Sequence, residues 1–269
     1  MKRFLLFAVT SISLATVAKS QPYEYPETGE RSPGSGSNGW RFGIFLAPNV
    51  SWMKPTANKS NDKLYLVNSQ GNKMGYSWGL MVDRPFAENY GIATGFHITS
   101  TGGKILAEEN TAVVQPAVAN RVTIADFDYR LQYIEVPLAL KLRSDEVGNG
   151  LHVFGQMGLS LGINISKKAT YEVTYTDATA PNGVRTIDGE NEKVFGGLAI
   201  APAMLSLNLG GGLEYPISSK MALYMGLFFN NGFVPDVTNP AQLDMGYKGK
   251  FSDGNVRLNN LALRFGIFF

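Results

Sequence analysis

The chain has 269 residues, 44% of them hydrophobic, 12% aromatic and only 17% charged, with 30 glycines and a formal net charge of +2. The absence of cysteine excludes a disulfide framework, a thiolate metal site and a Cys nucleophile. No polybasic surface is present, which excludes a nucleic-acid partner of the ordinary electrostatic kind.

Residues 1–20 read as a secretory signal: Lys2 and Arg3 precede the apolar run from Phe4 to Ala18, and Ala18-Lys19-Ser20 offers small residues at −3 and −1. The run is too short for a spanning helix, which needs roughly 20 residues. Cleavage between Ser20 and Gln21 removes Lys2, Arg3 and Lys19 and no acid, so three cations taken from +2 leave −1. Residues 21–38 are rich in Pro, Gly and Ser without hydrophobic periodicity and read as a disordered tail.

From Trp40 every second residue is apolar: Trp40, Phe42, Ile44, Leu46, Val50 and Trp52. A period of two puts these on one face of a strand and Arg41, Gly43, Phe45, Ala47, Asn49 and Ser51 on the other. The pattern recurs over 73–83, 90–99, 134–143, 151–163, 205–215, 221–230 and 260–269, giving eight segments in all. An even number suits a closed antiparallel barrel. The connections alternate, with long stretches at about 53–72, Thr101 to Ala125, Lys167 to Val194 and Asn231 to Asn255. The short ones are 84–88, 144–150 and 216–219. In an outer-membrane barrel the long ones are external loops and the short ones periplasmic turns, so both termini are expected in the periplasm.

Two other architectures compete. Phe195 to Leu213 and Gly148 to Ser166 each carry no charge over nineteen residues, as a membrane helix would. The first holds Pro202, Asn208 and five glycines, however, and the second keeps apolar parity of two. A soluble sandwich also alternates. Here one face is almost wholly Leu, Ile, Val, Met, Phe and Trp, and the other mixes glycine with Glu135, Arg264, Glu214, Gln156 and Asn208. That inventory fits lipid outside and a packed polar lumen inside, where glycine makes room for larger neighbours. The fold expected is therefore all-β: an eight-stranded up-and-down transmembrane barrel over residues 39–269. Trp40, Phe86, Tyr90, Tyr215, Phe265 and Phe269 map to one interfacial girdle, and Trp52, Tyr129, Tyr133 and Phe233 lie nearer the other.

Tyr133-Ile134-Glu135-Val136-Pro137-Leu138-Ala139-Leu140-Lys141 resembles a segment of the PorT-related outer-membrane barrels of the Bacteroidetes. The terminal Arg264-Phe265-Gly266-Ile267-Phe268-Phe269 is similar to their last strand, in which Phe265, Ile267 and Phe269 would be read by the barrel assembly machinery. The resemblance implies a Gram-negative outer membrane, with its lipid and lipopolysaccharide as surroundings. For true PorT members it further implies an accessory role in type IX secretion and gliding, with secretion-system subunits as partners.

Glu135 faces the lumen by parity and calls for a cation, with Arg264, Arg41 and Lys141 as candidates. Together with Glu214 and Gln156 these form an expected structural network that fills the barrel. An ion path is the functional alternative, but eight-stranded interiors are usually filled by side chains. His97 and His152 both face inward on different strands, too few for a metal site. His97 with Thr99 could seed an acyl hydrolase, but no carboxylate is obviously placed to orient the ring. The loop acids around Asn231 and Asp253 match no calcium-loop spacing. Tyr171 to Asp177 followed by Pro181-Asn182-Gly183 reads as a projecting hairpin. The functional expectation is thus a non-enzymatic barrel without cofactor, structural or accessory to secretion. A surface-binding barrel acting through its loops stands as the alternative, and a lipid-modifying enzyme as a weaker one.

Overall fold

The computed structural model describes residues 39–55, 65–113, 121–193, 200–218, 220–235 and 256–269. The signal segment with Ser20 and Gln21, the tail at 21–38 and the loop acids near Asp253 lie outside the described residues. Among the described residues nine strands follow one another: β1 (Arg41–Pro55), β2 (Tyr65–Pro85), β3 (Tyr90–Glu109), β4 (Val122–Arg143), β5 (His152–Thr176), β6 (Val184–Lys193), β7 (Ala203–Pro216), β8 (Ala222–Gly232) and β9 (Val256–Phe268). All pairings are antiparallel between sequence neighbours, except that β7 joins β5 beneath β6 and β9 returns to β1. The wall therefore closes on itself with eight staves. β6 is a ninth strand beside the upper part of β5.

The parity read from the sequence is the parity of the wall. Along β1, Arg41, Gly43, Phe45, Ala47 and Asn49 are buried, while Phe42, Ile44, Leu46 and Val50 are exposed. Phe195 to Leu213 is not a helix where it is described, since Ala203–Pro216 is a strand, and Gly148 to Ser166 lies mostly in β5. Glycine acts in the lumen as expected: a Cβ on Gly210 would sit 2.2 Å from the Phe228 ring, so that ring occupies the missing side chain's place.

Three expectations about loops need correction. The stretches at about 53–72, from Thr101 and from Lys167 are largely strand where they are described, with β1 running to Pro55, β2 beginning at Tyr65, β3 running to Glu109, β4 beginning at Val122 and β5 reaching Thr176. The reason is a change of polarity without a change of structure. On β4 the outward residues Ile134, Val136, Leu138, Leu140 and Leu142 are apolar, a band of nine residues that matches the 9–11 of a tilted membrane strand. Above it the outward residues become Asp126, Asp128, Arg130 and Gln132, and the inward ones become Ala125, Phe127, Tyr129, Leu131 and Tyr133. The strand leaves the apolar belt near Tyr133 and continues for eleven more residues, about 36 Å at the usual rise.

β5 makes the same inversion with a bulge. Gln132 pairs with Ser166 but Tyr133 pairs with Asn164, so Ile165 is the extra residue. The inward set passes from Phe154, Gln156, Ser160 and Gly162 to Ala169, Tyr171 and Val173. Asn164 Nδ2 donates to the carbonyls of Gln132 and Ser166 at 3.3 and 3.2 Å, stabilising the bulge. Beyond it β2 to β6 form a sheet that rises at the long-loop end, and Asp177 to Gly183 turns β5 into β6 as the hairpin reading expected.

Candidate functional site

The chemistry-bearing side chains are stacked in the lumen. At the short-turn end lies a floor of five charges. Arg41 opens β1, Asp83 closes β2, Lys141 and Arg143 close β4, and Glu214 closes β7. Glu214 Oε2 accepts from Arg41 Nη2 at 2.9 Å and faces Arg143 Nε at 3.6 Å, while Oε1 takes Lys141 Nζ. Lys141 also pairs with Asp83, whose Oδ2 stands 3.8 Å from Arg41 Nη1. Phe268 closes the floor, with the Arg41 guanidinium 4.3 Å and the Lys141 ammonium 5.0 Å from its ring centre.

The next layer is aromatic. Phe154 stacks on Tyr224 at 4.7 Å, and Tyr224 meets Phe268 edge-on at 5.6 Å. Arg264 lies over Phe228 at 4.0 Å and over Phe45 at 4.9 Å. Phe45 in turn meets His97 edge-on at 4.6 Å. His97 pairs in register with Glu135 across β3 and β4, and Ser160 Oγ donates to Glu135 Oε2 at 3.4 Å.

Above this comes a layer of amides and hydroxyls. Asn208 donates to Asn230, and Asn230 to Asn260 at 2.7 Å. Asn49 donates to Ser77 Oγ at 3.3 Å, and Ser51 Oγ accepts the Gly102 N–H at 3.1 Å. The top is apolar: Met53, Ile105, Phe127, Tyr129, Leu131 and Val173 belong to one buried cluster.

The sequence-derived network is thus divided. Arg41, Lys141 and Glu214 meet at the floor, while Glu135 and Arg264 lie one layer higher and Gln156 is buried in the lumen wall. Arg41 and Lys141 are not partners of Glu135, because the shear of the wall brings them to Glu214 and Asp83 instead. Arg264 is the cation whose charge acts on Glu135. Asp83 and Arg143 were passed over although both have inward parity at strand ends, the signal that could have found them. Parity puts Asn49, Ser51 and Asn208 of the amide layer inside, but their bonding into a layer is not visible, because neutral Asn and Ser carry no partner requirement that one strand shows.

His152 lies near the short-turn end with Nδ1 3.0 Å from the Ser144 carbonyl, far in sequence and in role from His97. Tyr129 and Tyr133 do not belong to a girdle: both are fully buried in the lumen. Phe265, Ile267 and Phe269 have outward parity on and just past β9, and the Phe269 N–H donates to the Phe42 carbonyl at 2.8 Å.

The family model described as outer membrane protein beta-barrel domain matches residues 20–206. No curated protein matches the sequence. Among solved structures the chain is similar to Ail, the attachment invasion locus protein of Yersinia pestis, with 12% identity and a TM-score of 0.35 over 86% of this chain and 97% of that one. It is also similar to the outer membrane protein OprG from Pseudomonas aeruginosa, with 11% identity and a TM-score of 0.38 over 89% and 98%. A third likeness is Neisserial surface protein A, with 11% identity and a TM-score of 0.34 over 84% and 97%. The family match covers well over half of the sequence, including β1 to β6, and the chain therefore belongs to the outer membrane protein beta-barrel domain family and is a protein of the outer membrane.

Proposed function

We propose that this protein is a non-enzymatic, closed barrel that works through the sheet raised at its long-loop end, as a surface-binding or accessory module. The polarity inversion on β4 carries this reading. Beyond Tyr133 the chain invests in a second apolar core instead of in loops, and that core holds β2 to β6 as a rigid platform. A pore would need an open lumen, whereas here charges, aromatics, amides and apolar side chains fill it in turn. In this reading the short-turn end with Phe269 faces the periplasm.

The non-enzymatic part rests on His97. It is 2% exposed and packed against Phe45, and Ser160 spends its hydroxyl on Glu135. Acyl release from phospholipid or lipid A by the purified protein would overturn it. Because the chain has no cysteine, single cysteines at Val184 and at Glu88 report orientation through a membrane-impermeant maleimide on whole cells. Labelling at 184 alone is the expected result, and labelling at 88 alone would invert the assignment. Deleting residues 177–187 should then abolish any surface-binding phenotype while leaving the barrel folded.

Accessory service to type IX secretion is supported by the resemblance at Tyr133 to Lys141. In this chain Glu135, Pro137 and Lys141 from that segment face the lumen, so they serve the barrel wall itself. Affinity purification of the full chain from its native membrane tests the role; recovery of no secretion subunit would count against it.

A further inference from the structure

The floor of the lumen carries more cations than it can pair. Among the described residues, Arg41, Lys141 and Arg143 pair with two carboxylates, Asp83 and Glu214. Arg41 is 2% exposed, and its Nε finds no hydrogen-bond acceptor among the described residues. Arg143 Nε is likewise buried without one, since Glu214 Oε2 at 3.6 Å is too distant and already serves Arg41. Unmade bonds at buried guanidinium nitrogens are costly, and among the described residues neither Nε has an acceptor to relieve it.

Beside these cations lies a small open hollow of about 30 Å³ that all three line. Asp83, Tyr90 and Asn89 also line it, and the exposed Glu88 stands on its rim. The hollow opens at the short-turn end, so a solute reaches it without passing the apolar core. We propose that this hollow is an oxyanion site that takes one phosphate group. Two guanidinium groups and an ammonium suit such a ligand, because guanidinium forks match phosphate oxygens and form charge-assisted bonds. The phosphate could belong to a lipid headgroup or to a free solute, and the chemistry of recognition is the same for both.

The test uses the full chain refolded in a neutral detergent, with thermal unfolding followed by circular dichroism. One arm adds inorganic phosphate against chloride at matched ionic strength. The other adds short-chain phosphatidylglycerol to the micelles. A rise in the unfolding midpoint with phosphate supports a solute site, and a rise with the lipid alone supports a headgroup site. In either case Arg143→Gln should weaken the apparent affinity by roughly tenfold, the worth of one charge-assisted contact. Glu88→Gln, at an exposed position that cannot disturb the core, should tighten it. No midpoint shift in either arm, or a shift indifferent to both substitutions, would overturn the proposal.

Discussion

Arg41 Nη2 donates to Glu214 Oε2 at 2.9 Å although β1 and β7 are not neighbours in the wall; β9 and β8 stand between them. The bond therefore crosses the lumen, and both side chains are almost fully buried. Glu214 is also the shared anion of Lys141 and Arg143. Glu214→Ala should cost about 3–5 kcal/mol, the usual penalty for leaving buried charge unpaired. Urea unfolding in detergent measures it, and a cost no larger than that of an exposed substitution would contradict the cross-lumen role.

The same substitution separates the floor from the seal. Two layers stand across the lumen, the charged floor and the apolar cluster of Phe127, Tyr129 and Leu131 far above it. The protein should show no steady conductance in planar-bilayer recording, and Glu214→Ala should remain silent because the upper core is untouched. A steady large conductance from either protein would contradict the double seal.

Phe228 depends on the glycine directly opposite it on the neighbouring strand. It pairs with Gly210, and its ring lies where a Cβ on Gly210 would stand. Gly210→Val must push that ring aside, and with it the Arg264 guanidinium stacked upon it. The expected loss is about 1–3 kcal/mol from overpacking. Adding Phe228→Ala should not make the loss additive, since the second change removes the clash; a double-mutant cycle in urea checks the coupling.

The wall was legible because lipid outside and packing inside impose opposite demands on alternate residues, and that parity survives in a single sequence. Trp40 to Trp52 and Leu261 to Phe269 display it without interruption. Of the raised sheet only the β5–β6 hairpin was legible. Between Val122 and Tyr133 the alternation persists, but its polarity is reversed, and a reading tuned to a lipid-facing apolar set sees a loop there. The lumen network was legible in composition only. Parity placed Glu135, Arg264, Arg41, Lys141, Glu214 and Gln156 inside, but which meets which depends on the shear of the closed wall. Hence Glu135 found Ser160 across the β4–β5 ladder while its expected partners Arg41 and Lys141 went to the floor.

The raised hairpin should respond to alkali through Tyr171. Burial, followed by the hydrogen bond its hydroxyl makes to Glu192 Oε2 at 2.8 Å, pushes its ionisation up to about 12. A tyrosine whose folded value lies above the unfolded value of about 10 stabilises fully below pH 10 and loses that contribution as pH rises toward 12. Tyrosine-labelled NMR should show this ring ionising last within the hairpin. Tyr171→Phe should remove that alkaline loss of hairpin protection, and an unchanged pH profile would count against the assignment.

Acid should loosen the tip of the same hairpin through Asp177. Its carboxylate accepts from Thr179 Oγ1 at 2.6 Å, from the Thr179 N–H at 2.8 Å and from Arg185 Nε at 2.9 Å. The Thr179 hydroxyl and N–H, then the Arg185 charge, hold its ionisation below the ordinary carboxylate value. A lowered folded value means that the folded turn prefers the anion. The stabilisation is therefore present above the unfolded carboxylate range and is lost as pH falls through and below it. Around this anion the Asp177 N–H donates to the Gly183 carbonyl at 2.9 Å, and Gly183 adopts a φ of 70° that favours glycine. Amide hydrogen exchange over residues 177–183 should lose protection between about pH 5 and about pH 3, while β4 in the membrane band keeps its own. Asp177→Asn retains the acceptor but not the charge, so it should weaken the Arg185 contact at every pH and flatten the acid transition. A wild-type tip whose protection is the same across that window would show that the carboxylate does not hold the turn.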